Sequence, residues 1–315
     1  MIENFNRHSL RELLIATICS LFIYFTSIYF IPFLFIVFPA PFIVLGVKRG
    51  IQHSMLSIII SCLVIYLLDG LGSVLLMGAM AIFVAVPMII CIKRGYSAFT
   101  TIAIVTAIGI VFVFVVSALV SRSSGIDILN SLEQAITKSI DEQMQVMKNL
   151  QILQDDDFQG MMKSSIAMMM AIIPSLLFIM TMLVSMINYY VSASMLRRIG
   201  FGIMDVPKFY NFRLPKDIVF GAVIMGVGTF ILSLLGMGYI TEISLNLTIA
   251  FSFLFMLQGL AAVILFLRGR MRPAPLYILL FITLLLGVRI VYVIIGVLYS
   301  VLNVKIIQGG DKDEK

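Results

Sequence analysis

Read as apolar and polar positions, this chain alternates long uncharged runs with short basic turns. Apolar runs fall near residues 13–30, 33–47, 51–68, 71–92, 97–120, 165–190, 217–237, 245–267 and 275–300. Most reach the ~18–20 residues that a helix needs to cross a bilayer core. Lipid offers no partners to bare N–H and C=O groups, so runs of this kind cross as helices. The expected fold is all-α, a polytopic membrane bundle of nine transmembrane helices. The second run is short and holds Pro39 and Pro41. Each proline removes a backbone donor and favours a kink, so a re-entrant segment, and eight crossings, is the alternative.

One stretch breaks the rhythm. Between 121 and 164 the residues turn polar, yet Leu129, Leu132, Ile136, Ile140, Met144, Met147 and Leu150 recur at steps of three and four. That spacing predicts an amphipathic helix with one apolar stripe, lying on the bilayer interface or serving as a lid or docking surface. The following Asp155, Asp156 and Asp157 lack the alternating ligand positions and turn glycine of a calcium loop, and read as a solvated charge run. The chain thus divides into a five-span part (1–120), an external amphipathic loop (121–164) and a four-span part (165–315) with a basic loop over 191–216.

Composition agrees with the pattern. Hydrophobic residues make up 61% of the 315 and charged ones 12%, whereas soluble domains run near half and a quarter. A net charge of +6 would suggest a nucleic-acid partner in a soluble protein, but here the cations cluster between apolar runs and report topology. With nine spans and the N-terminus inside, fourteen Lys and Arg fall on the cytoplasmic side and seven on the other. The C-terminus is then external. No small-x-small cleavage site follows the first run, so a removable leader is not expected. The basic and aromatic segment 197–217 has Arg197, Arg198, Lys208, Arg213 and Lys216 as candidate anchors to anionic headgroups, with partner docking as the other reading. It is too short for a nucleic-acid-binding fold.

Catalytic chemistry is hard to find. His8 and His53 are the only histidines, so no HExxH site can be built, and no GxxxxGK[ST] nucleotide loop occurs. Cys19, Cys62 and Cys91 show no CxxC spacing and read as small packing residues. Asp69, before Gly70 and Gly72, reads as a turn cap. No enzyme activity, metal or cofactor is expected. Ala16 and Ser20, and Ala222 and Gly226, have the small-xxx-small spacing that lets helices approach closely. They are candidates for docking a membrane coupling subunit or a second copy of the chain, although ordinary internal packing explains such pairs as well.

The stretch LLLGVRIVYVIIG (284–296) carries a single cation, Arg289. In a straight last span it would lie ~16 Å from the external end, near the midplane, where a charge costs on the order of 2.5–3.5 kcal/mol. Gln258 falls at comparable depth in the preceding span, and Tyr292 and Tyr299 share the face of Arg289. Two readings stay open. Arg289, Gln258 and Tyr292 form a binding site for an anionic solute, or Arg289 ties the last helices together.

The segment FPAPFIVLGVKRG (38–50), the span ending at Asp69 and the junction RRIGFG…LPKD after the sixth span resemble the YybS-like family of uncharacterised multi-pass membrane proteins of Gram-positive bacteria. That resemblance implies a bacterial cell membrane and no assigned activity. The first half is also similar to the substrate-binding membrane subunits of energy-coupling-factor transporters, where a Pro-containing apolar segment precedes a basic turn. This implies solute binding without an ATPase of its own. The alternative is a membrane scaffold or regulator that holds partners through its two polar loops.

Overall fold

The computed structural model describes residues 7–124, 128–149, 156–201, 208–235 and 240–302. Among them the chain forms α1 (Arg7–Tyr29), a 3-10 segment (Pro32–Val37), α2 (Ala40–Arg49), α3 (Ile51–Asp69), α4 (Leu71–Lys93), α5 (Ala98–Ser124), α6 (Ile128–Asn149), α7 (Asp156–Ala171) and α8 (Ile173–Arg198). A 3-10 turn (Phe209–Asn211), α9 (Lys216–Leu234), α10 (Ile240–Leu267), α11 (Pro273–Leu285) and α12 (Arg289–Leu302) follow. Among the described residues eight segments are long and apolar enough to cross a membrane, and α11 with α12 adds a ninth if that bent pair is one span. The protein is a polytopic helical membrane protein.

The chain divides into two compact units, Met1–Gln154 with Leu177–Val206, and Asp155–Leu176 with Pro207–Lys315. This differs from the division read in the sequence, because most of the sixth span joins the first five. The reason lies in the proline-broken second span. Its six-residue 3-10 segment ends before Pro39 and Pro41, and α2 starts at Ala40. The Ile36 carbonyl at this break is met by Asn188 of α8, whose Nδ2 donates to it at 2.7 Å. Four residues along α8, Ser192 reaches the Ala40 carbonyl at 3.5 Å.

The rest of the first unit is held by small polar contacts between apolar helices, as expected where lipid removes most of the hydrophobic drive for association. Thr17 of α1 and Ser57 of α3 share a hydrogen bond of 2.8 Å. Ser54 donates to the Phe42 carbonyl at 2.9 Å. Asp69 accepts from Ser73 at 2.5 Å and from the buried Tyr24 hydroxyl, so it caps the turn between α3 and α4 and also ties both to α1. Glu12 joins α1 to α2 through Lys48 at 2.8 Å and Arg49 at 2.6 and 2.9 Å. Cys91 is buried and Cys62 lies against Gly78, but Cys19 is exposed rather than packed.

The polar stretch after the fifth span does form a helix, α6. Among its described side chains, Ile136 and Ile140 are half-buried while Gln134, Lys138, Asp141 and Glu142 are exposed. Leu150 and Asp155 lie outside the described residues. The sixth apolar run does not begin a single helix at 165: α7 ends at Ala171 and α8 starts at Ile173, because Pro174 has no N–H and its ring crowds the preceding turn.

The second unit builds on α10. Asn246 enters the α7–α8 break, where its Oδ1 accepts the Ser175 N–H at 2.9 Å and its Nδ2 donates to the Ala171 carbonyl at 2.6 Å. An unbroken helix would join those two backbone groups directly. On another side α12 crosses α10 at two facing glycines. A Cβ on Gly259 would stand 1.9 Å from the Tyr292 carbonyl oxygen, and one on Gly296 would stand 1.9 Å from that of Phe255. Leu260, Ile264, Leu276, Leu280 and Tyr292 form the adjoining apolar core.

Candidate functional site

The structure does not assemble Arg289, Gln258 and Tyr292 into a site. The ninth apolar run is broken at 286–288, and α11 and α12 meet at a bend of 113°. Gly287 has a φ of 77°, the Val288 N–H reaches back to the Thr283 carbonyl at 3.1 Å, and the Gly287 N–H reaches Leu284 at 3.2 Å. These two bonds and a left-handed glycine make the Schellman ending of a helix. Arg289 therefore opens α12 at an exposed bend, where no described residue pairs with it, rather than lying inside a straight span. Gln258 is 1% exposed, and its Oε1 accepts the Leu214 N–H at 3.2 Å. The Tyr292 hydroxyl pairs with Thr283 across the bend. Both side chains thus hydrogen-bond within the protein.

The two candidate docking pairs also separate in role. Ala16 is buried with Leu13 against Leu45, and Ser20 is fully buried beside them on α1, so this pair packs inside the first unit. Ala222 and Gly226 do not bring helices close: a Cβ on Gly226 would meet nothing within 4 Å. They line a cavity instead.

That cavity, of about 760 Å³, lies between α9 and α10, with Met168 of α7 at its edge. Each helix presents one face to it. Ala222, Gly226, Thr229 and Ser233 come from α9, and Thr241, Ser244, Thr248 and Ser252 from α10, all at steps of three or four. Six hydroxyls thus border the space. Phe230, Phe251 and Phe255 add aromatic surface, the last two stacked with centroids 6.5 Å apart. None of the described lining residues is ionisable. Thr229 hydrogen-bonds the Met225 and Gly226 carbonyls at 3.0 Å, which keeps it on the cavity face. Volume and mixed lining fall within the ~300–1,000 Å³ typical of small-molecule sites. An ion without a partner is costly to bury, whereas the six described hydroxyls can serve a neutral hydrogen-bonding group.

A family of predicted membrane proteins, DUF2232, matches residues 13–298 and so takes in this cavity and both units. The chain belongs to that family. No curated protein and no solved structure matches it.

In this DUF2232 chain the basic segment 197–217 is spread over both units. Arg197 and Arg198 end α8 and are exposed, while Lys216 is the first residue of α9. Residues 208–215 fold onto the second unit, where Phe209 and Tyr210 pack on the core beside Leu260. The Tyr210 ring lies under Arg268 at 4.1 Å and near Lys208 at 5.8 Å, and Arg213 stands 5.3 Å from the Tyr299 ring. Two of the predicted anchoring cations are thus seated on aromatic faces of the protein itself. The sequence reading missed Asn188, Asn246 and the hydroxyl stripe. Each left a trace: a lone Asn within a long apolar run, and Thr241, Ser244, Thr248 and Ser252 on one helical face.

Proposed function

We propose that this protein binds an uncharged small solute in the cavity between α9 and α10, as a transport-related membrane component. It binds its solute without transforming it and relies on other subunits for any energy input. The observation that carries this reading is the pair of facing Ser/Thr stripes around about 760 Å³, with no ionisable group among the described lining residues. The likeness of the first half to substrate-binding subunits of energy-coupling-factor transporters points in the same direction, whereas the likeness of the 38–50 and 197–217 segments to YybS-like chains carries no activity. The excess of Lys and Arg in alternate loops supports a bacterial cell-membrane protein with its N-terminus in the cytoplasm, and nine crossings then put its C-terminus outside.

The test is a thermal-shift screen of the purified chain against uncharged polyols, sugars and heterocycles beside an equal set of anionic metabolites. A neutral ligand at about a hundred times its Kd stabilises the folded state by ~2.7 kcal/mol. Gly226→Leu fills open space and improves helix propensity, so it keeps the unliganded melting temperature and abolishes the shift. A shift that survives in Gly226→Leu would sink the assignment. Stabilisation confined to anions and lost in Arg289→Ala would restore the cationic site in its place.

A further inference from the structure

A second concave surface, independent of the cavity above, lies in the first unit between α1 and α2, with Met195 and Ile199 at the end of α8 as its third wall. Its volume is about 390 Å³. The residues that α1 contributes, from His8 through Arg11 and Ala16 to Cys19, follow steps of three and one and so make a single helical face.

The groove changes character along its length. One end is ionic, with His8, Arg11, Glu12 and Lys48. Glu12 is already engaged by Lys48 and by both nitrogens of the Arg49 fork. Among the described residues three cations, Arg11, Lys48 and the adjoining Arg49, therefore stand against one carboxylate, and exposed Arg11 at the mouth has no described partner. The other end, at Ile15, Cys19, Val44 and Met195, offers no charge. Arg11 and Cys19 are eight residues apart, or ~12 Å along the helix. Half of a bilayer's hydrocarbon core is ~15 Å deep.

We propose that this groove binds one anionic phospholipid of the surrounding bilayer, its phosphate on Arg11 and Lys48 and one acyl chain along Ile15, Cys19 and Val44. The charge gradient fits an amphiphile: a free phosphate would leave the apolar end uncovered, and a choline headgroup would bring a fourth cation to the ionic end. The Lys48 ammonium has three donors and spends one on Glu12, so a phosphate oxygen can share it without breaking the α1–α2 tie. Arg11 supplies the planar fork suited to two phosphate oxygens.

Cys19 gives a direct readout, since its exposed thiol lies on the path of the chain while Cys91 is buried. Alkylation of Cys19 in the full-length protein in neutral detergent is followed by peptide mass, with phosphatidylglycerol, phosphatidylcholine or inorganic phosphate added. Phosphatidylglycerol slows alkylation about tenfold, the size expected of one charge-assisted contact, and the other two do not. Arg11→Gln loses the protection and Arg11→Lys keeps most of it. Equal protection by phosphatidylcholine or by inorganic phosphate, or protection undiminished in Arg11→Gln, overturns the proposal. Ile15→Trp supplies the second measurement: its ring fills the apolar end from an exposed position, and native mass spectrometry should show one phosphatidylglycerol fewer than in the wild type. Unchanged retention also overturns it.

Discussion

Glycines at three positions show how one residue type serves opposite ends. Gly259 and Gly296 let two backbones meet where any Cβ would overlap a carbonyl oxygen at 1.9 Å, and at that distance Cα–H groups and carbonyls are in direct contact. Gly226 faces open space. Gly259→Ala should therefore force α10 and α12 apart and destabilise by ~1–3 kcal/mol, as overpacking does. Gly226→Ala should leave the melting temperature in detergent unchanged or slightly raised. Equal melting temperatures for the two variants would show that the crossing is not tight. The small-xxx-small rule drew attention to Ala222 and Gly226 and passed over Gly296 and Ser300, which have the same spacing and are both buried. Spacing alone does not say whether a small residue makes a contact or leaves a space.

At the scale of elements, proline and asparagine work as pairs. Pro174 separates α7 from α8, and Asn246 bridges the Ser175 N–H and Ala171 carbonyl that the break leaves apart. Pro39 and Pro41 break the second span, and Asn188 meets the Ile36 carbonyl there. An unpaired buried carbonyl costs ~1–3 kcal/mol. Asn188→Leu should destabilise by about that much, read as a lower midpoint in chemical denaturation. For the other pair a double-mutant cycle is the sharper measurement: Asn246→Leu should cost less in a Pro174→Ala background, where the helix can close its own hydrogen bond. Additive effects would mean that the asparagine does not serve the break. The prolines were legible as breaks in the sequence. Their partners were not, since each asparagine lies more than seventy residues from the backbone group it satisfies.

At the scale of the whole molecule, the last bent pair sets the number of crossings. α11 has 13 residues and α12 has 14, so each reaches only ~20 Å and neither crosses a ~30 Å core alone. Laid end to end they would suffice for one crossing, but at the bend of 113° the pair falls short of that ~30 Å thickness. A crossing keeps Arg268, Arg270 and Arg272 inside and puts Lys305, Lys312 and Lys315 outside, so the C-terminal lysines weigh against it and the external C-terminus rests on the apolar run alone. A phosphatase fusion after Lys315 should be active outside the cell and one after Arg270 should not. The same compartment for both would make the pair re-entrant and the number of crossings eight.

By itself the sequence determined that the protein is a helical membrane protein of eight or nine spans, where most of those spans lie and that an amphipathic helix interrupts them. These follow from local hydrophobicity and its period, because a bilayer forces any long uncharged run to satisfy its own backbone. Only the tertiary structure decided that Gln258 serves Leu214, that Arg289 stands at a glycine-made bend and that the sixth span packs mainly with the first five. Those outcomes depend on which faces meet and which backbone groups a break leaves open, and both are settled by residues far apart in the chain. The cavity between α9 and α10 belongs to the same class. Hydroxyls at helical spacing are visible in one dimension, but the space between two such faces exists only once the helices are packed.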